Sequence, residues 1–491
     1  MYGINLSSGQ EESDPLLSSS NVRDSETALD PDAEFGGTEA RKKLERRLLL
    51  KLDARMSILV IIYILNYIDR NNAAAARLRG FEEDLGLTGN QFATVLSILY
   101  VGYITMQVPS NMFLNHLGKP SIYLPVCMAL WGLISALTGV THNFVGALVT
   151  RLFLGICECA FFPGALFLLS KWYKRDELGL RTAVLSCGSL LSNAFGSLIA
   201  SGILDGMEGV LGHAAWRWLF FIEGALTIFV AFIAAFVLPD FPSTSHNWLS
   251  PIEARLAVKR MEEDAGVGDE GQTEVKSQKQ ILLDALTDWK VMYMALNITC
   301  IIISLSFNAF FPTLTATLGY NRTVTLLLCA PPWVFATLVA FAVTRHSDAT
   351  GERSFHMVIS LCGGLVGFMI ASSTMNIGAR YFSLFLMAQS YAAFITFLAW
   401  ISSTFPRPPS KRAVAIAFIN AFGQLGNISG SYIWPKAWGK SYRYSYAICI
   451  ATNGLGIVMI LAFRAHLKAL NEKAEKEEQE RGLPKGYRYL L

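Results

Sequence analysis

Residues 144–170 read Phe144-Val-Gly-Ala-Leu-Val-Thr-Arg151-Leu-Phe-Leu-Gly155-Ile-Cys-Glu158-Cys-Ala-Phe-Phe-Pro163-Gly164-Ala-Leu-Phe-Leu-Leu-Ser170. Two charged side chains interrupt an otherwise apolar run. As a helix at 1.5 Å per residue the run extends about 40 Å, more than the ~30 Å hydrocarbon core of a bilayer. Working outward, eleven more apolar runs of this kind occupy 56–76, 92–113, 121–141, 182–204, 216–238, 292–314, 324–344, 356–376, 380–404, 413–434 and 444–463. A water-soluble fold would have to bury all of them at once. The expected fold class is therefore an all-α membrane protein with twelve transmembrane helices in two six-helix bundles. Its parts are a polar tail (1–55), a first bundle (56–238), a charged linker (239–290), a second bundle (291–465) and a charged tail (466–491).

Composition agrees: 52% of residues are hydrophobic and 16% charged, against about 25% charged in soluble domains. All eight cysteines fall inside the runs without zinc-ligand or disulfide spacing, and read as helix-packing residues. The first fifty residues contain no apolar core of a cleavable signal peptide, so the first span is expected to act as the insertion signal.

Lysine and arginine are sorted by loop. Arg41, Lys42, Lys43, Arg46, Arg47, Lys51 and Arg55 precede span one; Lys171, Lys174, Arg175 and Arg181 join spans four and five; Arg345, Arg353, Arg407, Lys411 and Arg412 follow spans eight and ten. The alternate loops carry fewer. The positive-inside rule then places both termini and the linker in the cytoplasm, as an even number of spans also requires. The N-terminal tail, rich in Ser, Asp and Glu, reads as disordered. Its Glu12-Ser-Asp-Pro-Leu16-Leu17 matches an acidic dileucine sorting pattern, so the plasma membrane is the first expectation and a vacuolar membrane the second. Asn471–Arg481 alternates Lys and Glu as a solvated helix would, and the Asn321-Arg-Thr sequon lies too near the membrane for use.

A turn recurs at the second-to-third connection of each half: Asn115-His-Leu-Gly118-Lys119 and Asp348-Ala-Thr-Gly351-Glu-Arg353. Glycine permits the tight turn, and the cation can reach the last carbonyls of a helix. With the six-plus-six count, this resembles the loop signature of the major facilitator superfamily, whose two bundles rock about a central site. The resemblance implies gating roles for Gly118, Lys119, Asp348, Gly351 and Arg353. Asn115 departs from the usual aspartate.

Ionisable residues inside spans cost a few kcal/mol each unless paired or hydrated. Span one carries Asn66-Tyr67-Ile-Asp69-Arg70-Asn71-Asn72; in span four, Arg151, Gly155 and Glu158 share one helical face. Counting about 1.5 Å per residue, Asp69 and Arg151 lie at similar depth and Glu158 within reach of Arg70. Two readings stay open. Asp69–Arg151 and Arg70–Glu158 are two salt bridges that fix helix register, or these groups share protons and an anionic substrate. In the second reading, an anion that competes for an arginine deprives the glutamate of its counter-ion and favours protonation.

These motifs, with Gln107-Val-Pro109-Ser-Asn111, Trp172-Tyr173-Lys-Arg175, Trp216-Arg217-Trp218-x2-Phe221-x-Glu223-Gly224 and Asn420-x2-Gly423-x2-Gly426-Asn427-x2-Gly430, resemble the anion:cation symporter branch of the superfamily. The detail looks like the fungal allantoate permease group, which includes carriers of nicotinate, pantothenate, biotin and ureido acids. The match is thinner in the second half, where Ser402–Pro409 differs from the usual connection. The resemblance implies that Asp69 and Glu158 carry protons and that Arg70 and Arg151 pair with substrate and carboxylate. Span five, Ser186-Cys-Gly188-Ser-Leu-Leu-Ser192-Asn193, lacks the Gly-Pro antiporter signature.

Asn66, Gln107, Asn308, Asn420 and Gln424 join the candidate substrate-binding set, as polar groups inside apolar spans, and Phe307–Phe311 and Trp400 are candidates for an aromatic wall. No metal cluster, phosphate-binding glycine loop or nucleophile triad is visible, so neither enzyme chemistry nor ATP-driven transport is expected. The expected function is proton-coupled symport of a small organic anion by a monomer in a lipid bilayer, the proton being the coupling ion, with no cofactor and no nucleic-acid partner. The alternatives are a proton-driven antiporter exporting a small hydrophobic or anionic compound, and a non-transporting nutrient sensor.

Overall fold

The computed structural model describes residues 32–242, 248–269, 283, 286–405, 409–481 and 488–491; the dileucine segment Glu12–Leu17 and residues 406–408 of the Ser402–Pro409 connection lie outside them. Among the described residues there is helix and no strand. Ten helical stretches among the described residues are long and apolar enough to cross a membrane. Two further long helices, Thr38–Ala76 and Pro409–Ser431, carry Asp69 and Arg70, and Asn420, Gln424 and Asn427, in their interiors. Together they make six spans before the linker and six after.

In the first half span one is Thr38–Ala76, span two Gln91–Leu117, span three Pro120–Thr138, span five Arg175–Gly206 and span six Ala215–Val237. In the second half span eight is Arg322–Thr350, span nine Ser354–Ser373, span eleven Pro409–Ser431 and span twelve Arg443–Arg481. Spans three and six, two and four, and one and five pack within the first half; the halves meet chiefly along span five against span eight and span two against span eleven.

Spans four, seven and ten are each broken near mid-membrane. Span four is Phe144–Glu158 followed by Phe161–Trp172. Pro163 has no N–H for the carbonyl of Cys159, so the helix loosens directly after Glu158. Span seven passes from Trp289–Leu305 through the 3-10 turn Ser306–Phe310 to Phe311–Ala316. Pro312 removes the i+4 donor for Asn308, whose carbonyl accepts from Phe311 N instead. Span ten divides into Ile377–Gln389 and Tyr391–Thr404. There Ser390 Oγ donates to the Met387 carbonyl at 2.5 Å and Gln389 Nε2 to that of Leu386 at 3.0 Å, competing with the helix ladder. Irregular backbone at membrane depth is tolerated where it lines a protein-enclosed cavity.

The linker helix Pro251–Asp269 lies against the start of span one. Arg260, fully buried, bridges Glu45 and Glu177 at 2.5 Å each, and Lys51 holds Glu253 at 2.7 Å. We call this end the linker face. The last residues also fold onto it: Trp400 Nε1 donates to the Leu490 carbonyl at 3.0 Å. Trp400 lines none of the three cavity lobes described below.

At the opposite face the halves are tied together. Glu82 pairs with Arg77 at 2.8 Å and with Lys436 of the second half. Thr323 Oγ1 donates to Asp205 Oδ1 at 3.0 Å, and the Tyr432 hydroxyl lies 3.1 Å from Thr94 Oγ1. Among the described residues, the polar bonds joining the two halves cluster here, so the structure is closed on the face away from the linker.

Candidate functional site

Between the halves lie three small neighbouring pockets that share lining residues, called here the first, second and third lobes of the cavity region. Arg70 lines the first and third; Asn71 and Asn308 line the first and second. Each broken span contributes beside it: Glu158 at the break in span four, Asn308 in the turn of span seven, Tyr391 just after the break in span ten.

Arg70 is the centre of the site. Its Nε and Nη2 lie 2.8 Å and 2.7 Å from Glu158 Oε2, while Glu158 Oε1 is buried without a partner. The guanidinium lies 4.9 Å from the ring centre of Tyr67, 5.1 Å from Tyr103 and 5.9 Å from Tyr100. Aromatic faces stabilise a desolvated cation by about 0.5–2 kcal/mol each. Gly155 makes this possible: a β-carbon there would sit 1.9 Å from the Leu99 carbonyl oxygen, so only glycine lets span two cross span four at this level. That crossing carries Tyr100 and Tyr103 to Arg70.

The expected Asp69–Arg151 carboxylate pair is replaced by a different arrangement. Asp69, fully buried, accepts from Ser135 Oγ at 2.8 Å and Thr227 Oγ1 at 2.7 Å. Arg151 donates to the carbonyls of Asp69 and Arg70 at 3.3 and 3.1 Å and to Asn72 Oδ1 at 2.7 Å. Span one therefore hands its backbone, not its aspartate, to Arg151. Hydroxyls at the right register on spans three and six take the aspartate; one span's sequence cannot show which neighbour's hydroxyls will meet it.

Asn66, Asn420 and Gln424 line the third lobe with Arg70, while Arg151 and Asn308 line the first. Gln107 is buried with Oε1 unpartnered and lines none of the three lobes, which sets it apart from the other candidates. Phe307 is packed inside the second half against Trp333 and Phe368, and Phe311 reaches the second lobe. Sequence reading passed over the tyrosines around Arg70 and over Glu223 as a site group. The tyrosines at 63 and 67, and 100 and 103, recur at helical spacing, which was a usable signal.

The two repeated turns match in backbone. Gly118 and Gly351 each end a helix in the left-handed conformation, φ 65° and 67°. Arg353 pairs with Asp348 at 2.5 Å and reaches Ser347 Oγ at 3.4 Å, whereas Lys119 is exposed. The second-half turn is thus locked by its own ion pair.

The sequence profile of the Major Facilitator Superfamily matches residues 59–431. The chain belongs to this superfamily. It is a membrane transporter and not an enzyme. It is 34% identical over 453 residues to the MFS-type transporter cnsO of Penicillium expansum, covering 90% of this chain and 86% of that one. It is 31% identical over 407 residues to a putative tartrate transporter of Agrobacterium vitis, covering 82% and 90%. Among solved structures, the proton:xylose symporter XylE bound to 6-bromo-6-deoxy-D-glucose superposes with a TM-score of 0.65 at 13% identity, covering 84% of this chain and 96% of that chain. That likeness is one of fold.

Proposed function

We propose that this transporter is a proton-coupled symporter of a small organic anion, of the anion:cation symporter, allantoate permease-like kind. The observation that carries the proposal is that one guanidinium, Arg70, both lines the cavity and holds the buried Glu158. A substrate carboxylate entering the cavity competes for Arg70. Glu158, losing its cation in a low-dielectric site, takes up a proton at an oxygen that already lacks a partner. Anion and proton then occupy the site together, and the loaded cluster is closer to neutral for the rocking step. Arg151, held by backbone carbonyls of span one, fixes spans one and four as a unit, and Asp69 stands in the same cluster as the second proton-carrying group.

Asn66, Asn308, Asn420 and Gln424 supply hydrogen bonds from both halves to the rest of the substrate. The name of the Agrobacterium vitis relative specifies tartrate, which supports a carboxylate as substrate. With both termini and the linker cytoplasmic in the plasma membrane, the closed opposite face is the external gate. The test is uptake of labelled small carboxylates, tartrate and nicotinate among them, by a carrier-deficient fungal strain expressing the chain. Uptake that rises with external acidity supports the reading. Efflux in exchange for protons, without uptake, would replace it with antiport.

A further inference from the structure

Five ionisable side chains are buried together in the first half at cavity level: Asp69, Glu158 and Glu223 against Arg70 and Arg151. Fully ionised, the set carries three negative and two positive charges. An unmatched charge is costly in this medium, and a carboxyl escapes the cost by keeping its proton. Which carboxyl does so follows from the partners. Glu158 has Arg70, and Asp69 has two hydroxyl donors. Glu223 lies under the charges of Asp69 and Arg151, yet its Oε2 has no hydrogen-bond partner; Arg151 directs Nη1 to backbone carbonyls and Nη2 to Asn72, and its Nε, also without a partner, does not bond Glu223.

The cavity supplies an independent observation. Among the described lining residues of the three lobes, Glu223 is the carboxyl, placed in the second lobe beside Asn193 and Asn308. Asp69, held by Ser135 and Thr227, and Glu158, held by Arg70, line none of the three lobes. The charges that act on Glu223 are those of Asp69 from span one and Arg151 from span four. Spans three and five, which flank span six, bring no charged side chain within 120–138 or 182–204. The turn Arg77–Arg79 also touches span six, and its Arg77 is committed to Glu82. Gly224 presses against the Gly132 carbonyl of span three, where a β-carbon would come within 2.5 Å, so the span that carries Glu223 is fixed in register.

We propose that Glu223 is the resident proton carrier of this site. It holds a proton that keeps the five-charge cluster neutral and exchanges it with water in the second lobe. The proton leaves Glu223 Oε2 for cavity water, and the carboxylate so formed turns to Arg151 by displacing Asn72. This rests on the symport reading and names a third coupling group within it.

The test uses the full chain reconstituted in liposomes. Infrared spectra at neutral pH should show the carbonyl band of a protonated carboxyl, lost in Glu223→Gln and retained, shifted, in Glu223→Asp. A band that survives Glu223→Gln, or that is absent from the wild type, overturns the assignment. In parallel, uptake of labelled tartrate and nicotinate is measured against an imposed pH gradient. A wild type indifferent to the gradient overturns the symport reading. A wild type that follows it, with the same pH profile in Glu223→Gln, overturns Glu223 alone.

Discussion

Arg70 grips Glu158 through a single oxygen: Nε and Nη2 both converge on Oε2, at 2.8 and 2.7 Å, and Oε1 is left bare. A two-oxygen fork would satisfy both partners and favour permanence. The one-oxygen grip leaves a ready proton acceptor beside a cation that the cavity can reach.

Arg70→Lys keeps the charge but cannot place two donors on Oε2 or lie flat between Tyr67 and Tyr103. Losing one charge-assisted bond costs about 1.5–3 kcal/mol, or roughly 10–100-fold in affinity. Half-saturation of carboxylate uptake should rise by that factor, read from concentration-dependent uptake in liposomes. An unchanged value would remove Arg70 from substrate contact.

Gly155→Val should act through packing. Its side chain would drive into the Leu99 carbonyl, and overpacking costs about 1–3 kcal/mol or more. The expected outcome is a lower melting temperature in detergent and displacement of Tyr100 and Tyr103 from Arg70. A variant with wild-type melting and uptake would contradict the close crossing of spans two and four.

The linker should respond to acid. At Glu45 burial pushes the carboxyl up, but the charges of Arg260 and Lys174 outweigh it and hold the group below its ordinary value of 4.5. A lowered folded value stabilises docking above the ordinary value, and the contribution is lost as pH falls through the folded one. Hydrogen exchange over Pro251–Arg260 should stay slow from about pH 7 to about pH 5 and accelerate below the usual glutamate range. Arg260→Gln should free the helix even at neutral pH. Exchange indifferent to this substitution would show that the ion pairs do not hold the linker.

At the opposite face, Lys436→Gln removes the second-half cation from Glu82, which remains paired with Arg77. The pair is half exposed, so the effect on stability is small, but the balance between closed and open states should shift. With the native cysteines replaced, a cysteine at Asn308 should react faster with a membrane-impermeant maleimide applied from that face. Equal rates would mean that the lock lies elsewhere.

Much of the fold was legible because lipid imposes length and apolarity on each span, so 144–170 and its eleven counterparts could be counted directly. The proximity of Arg70 to Glu158 was also legible, from helical rise alone. What escaped was lateral. That Asp69 meets Ser135 and Thr227 rather than Arg151 depends on the rotation of three helices about their axes, which small residues such as Gly132 and Gly224 set. Glu223 was visible as part of a motif, but its unpaired oxygen and its place in the cavity exist only once span six is seated. The break in span ten had no proline to announce it, since Gln389 and Ser390 divert carbonyls by side-chain bonding. Gln107, a buried amide in an apolar span, lies outside the three lobes described, and helical periodicity alone does not say which amides face a cavity.

The most direct test of anion–proton coupling through Arg70 and Glu158 is labelled carboxylate movement by Glu158→Gln in liposomes, under an imposed pH gradient and under counterflow. The amide still accepts from Arg70 but takes no proton. The account predicts that gradient-driven accumulation falls to the level of empty liposomes while counterflow persists. Accumulation at the wild-type level in Glu158→Gln would contradict it.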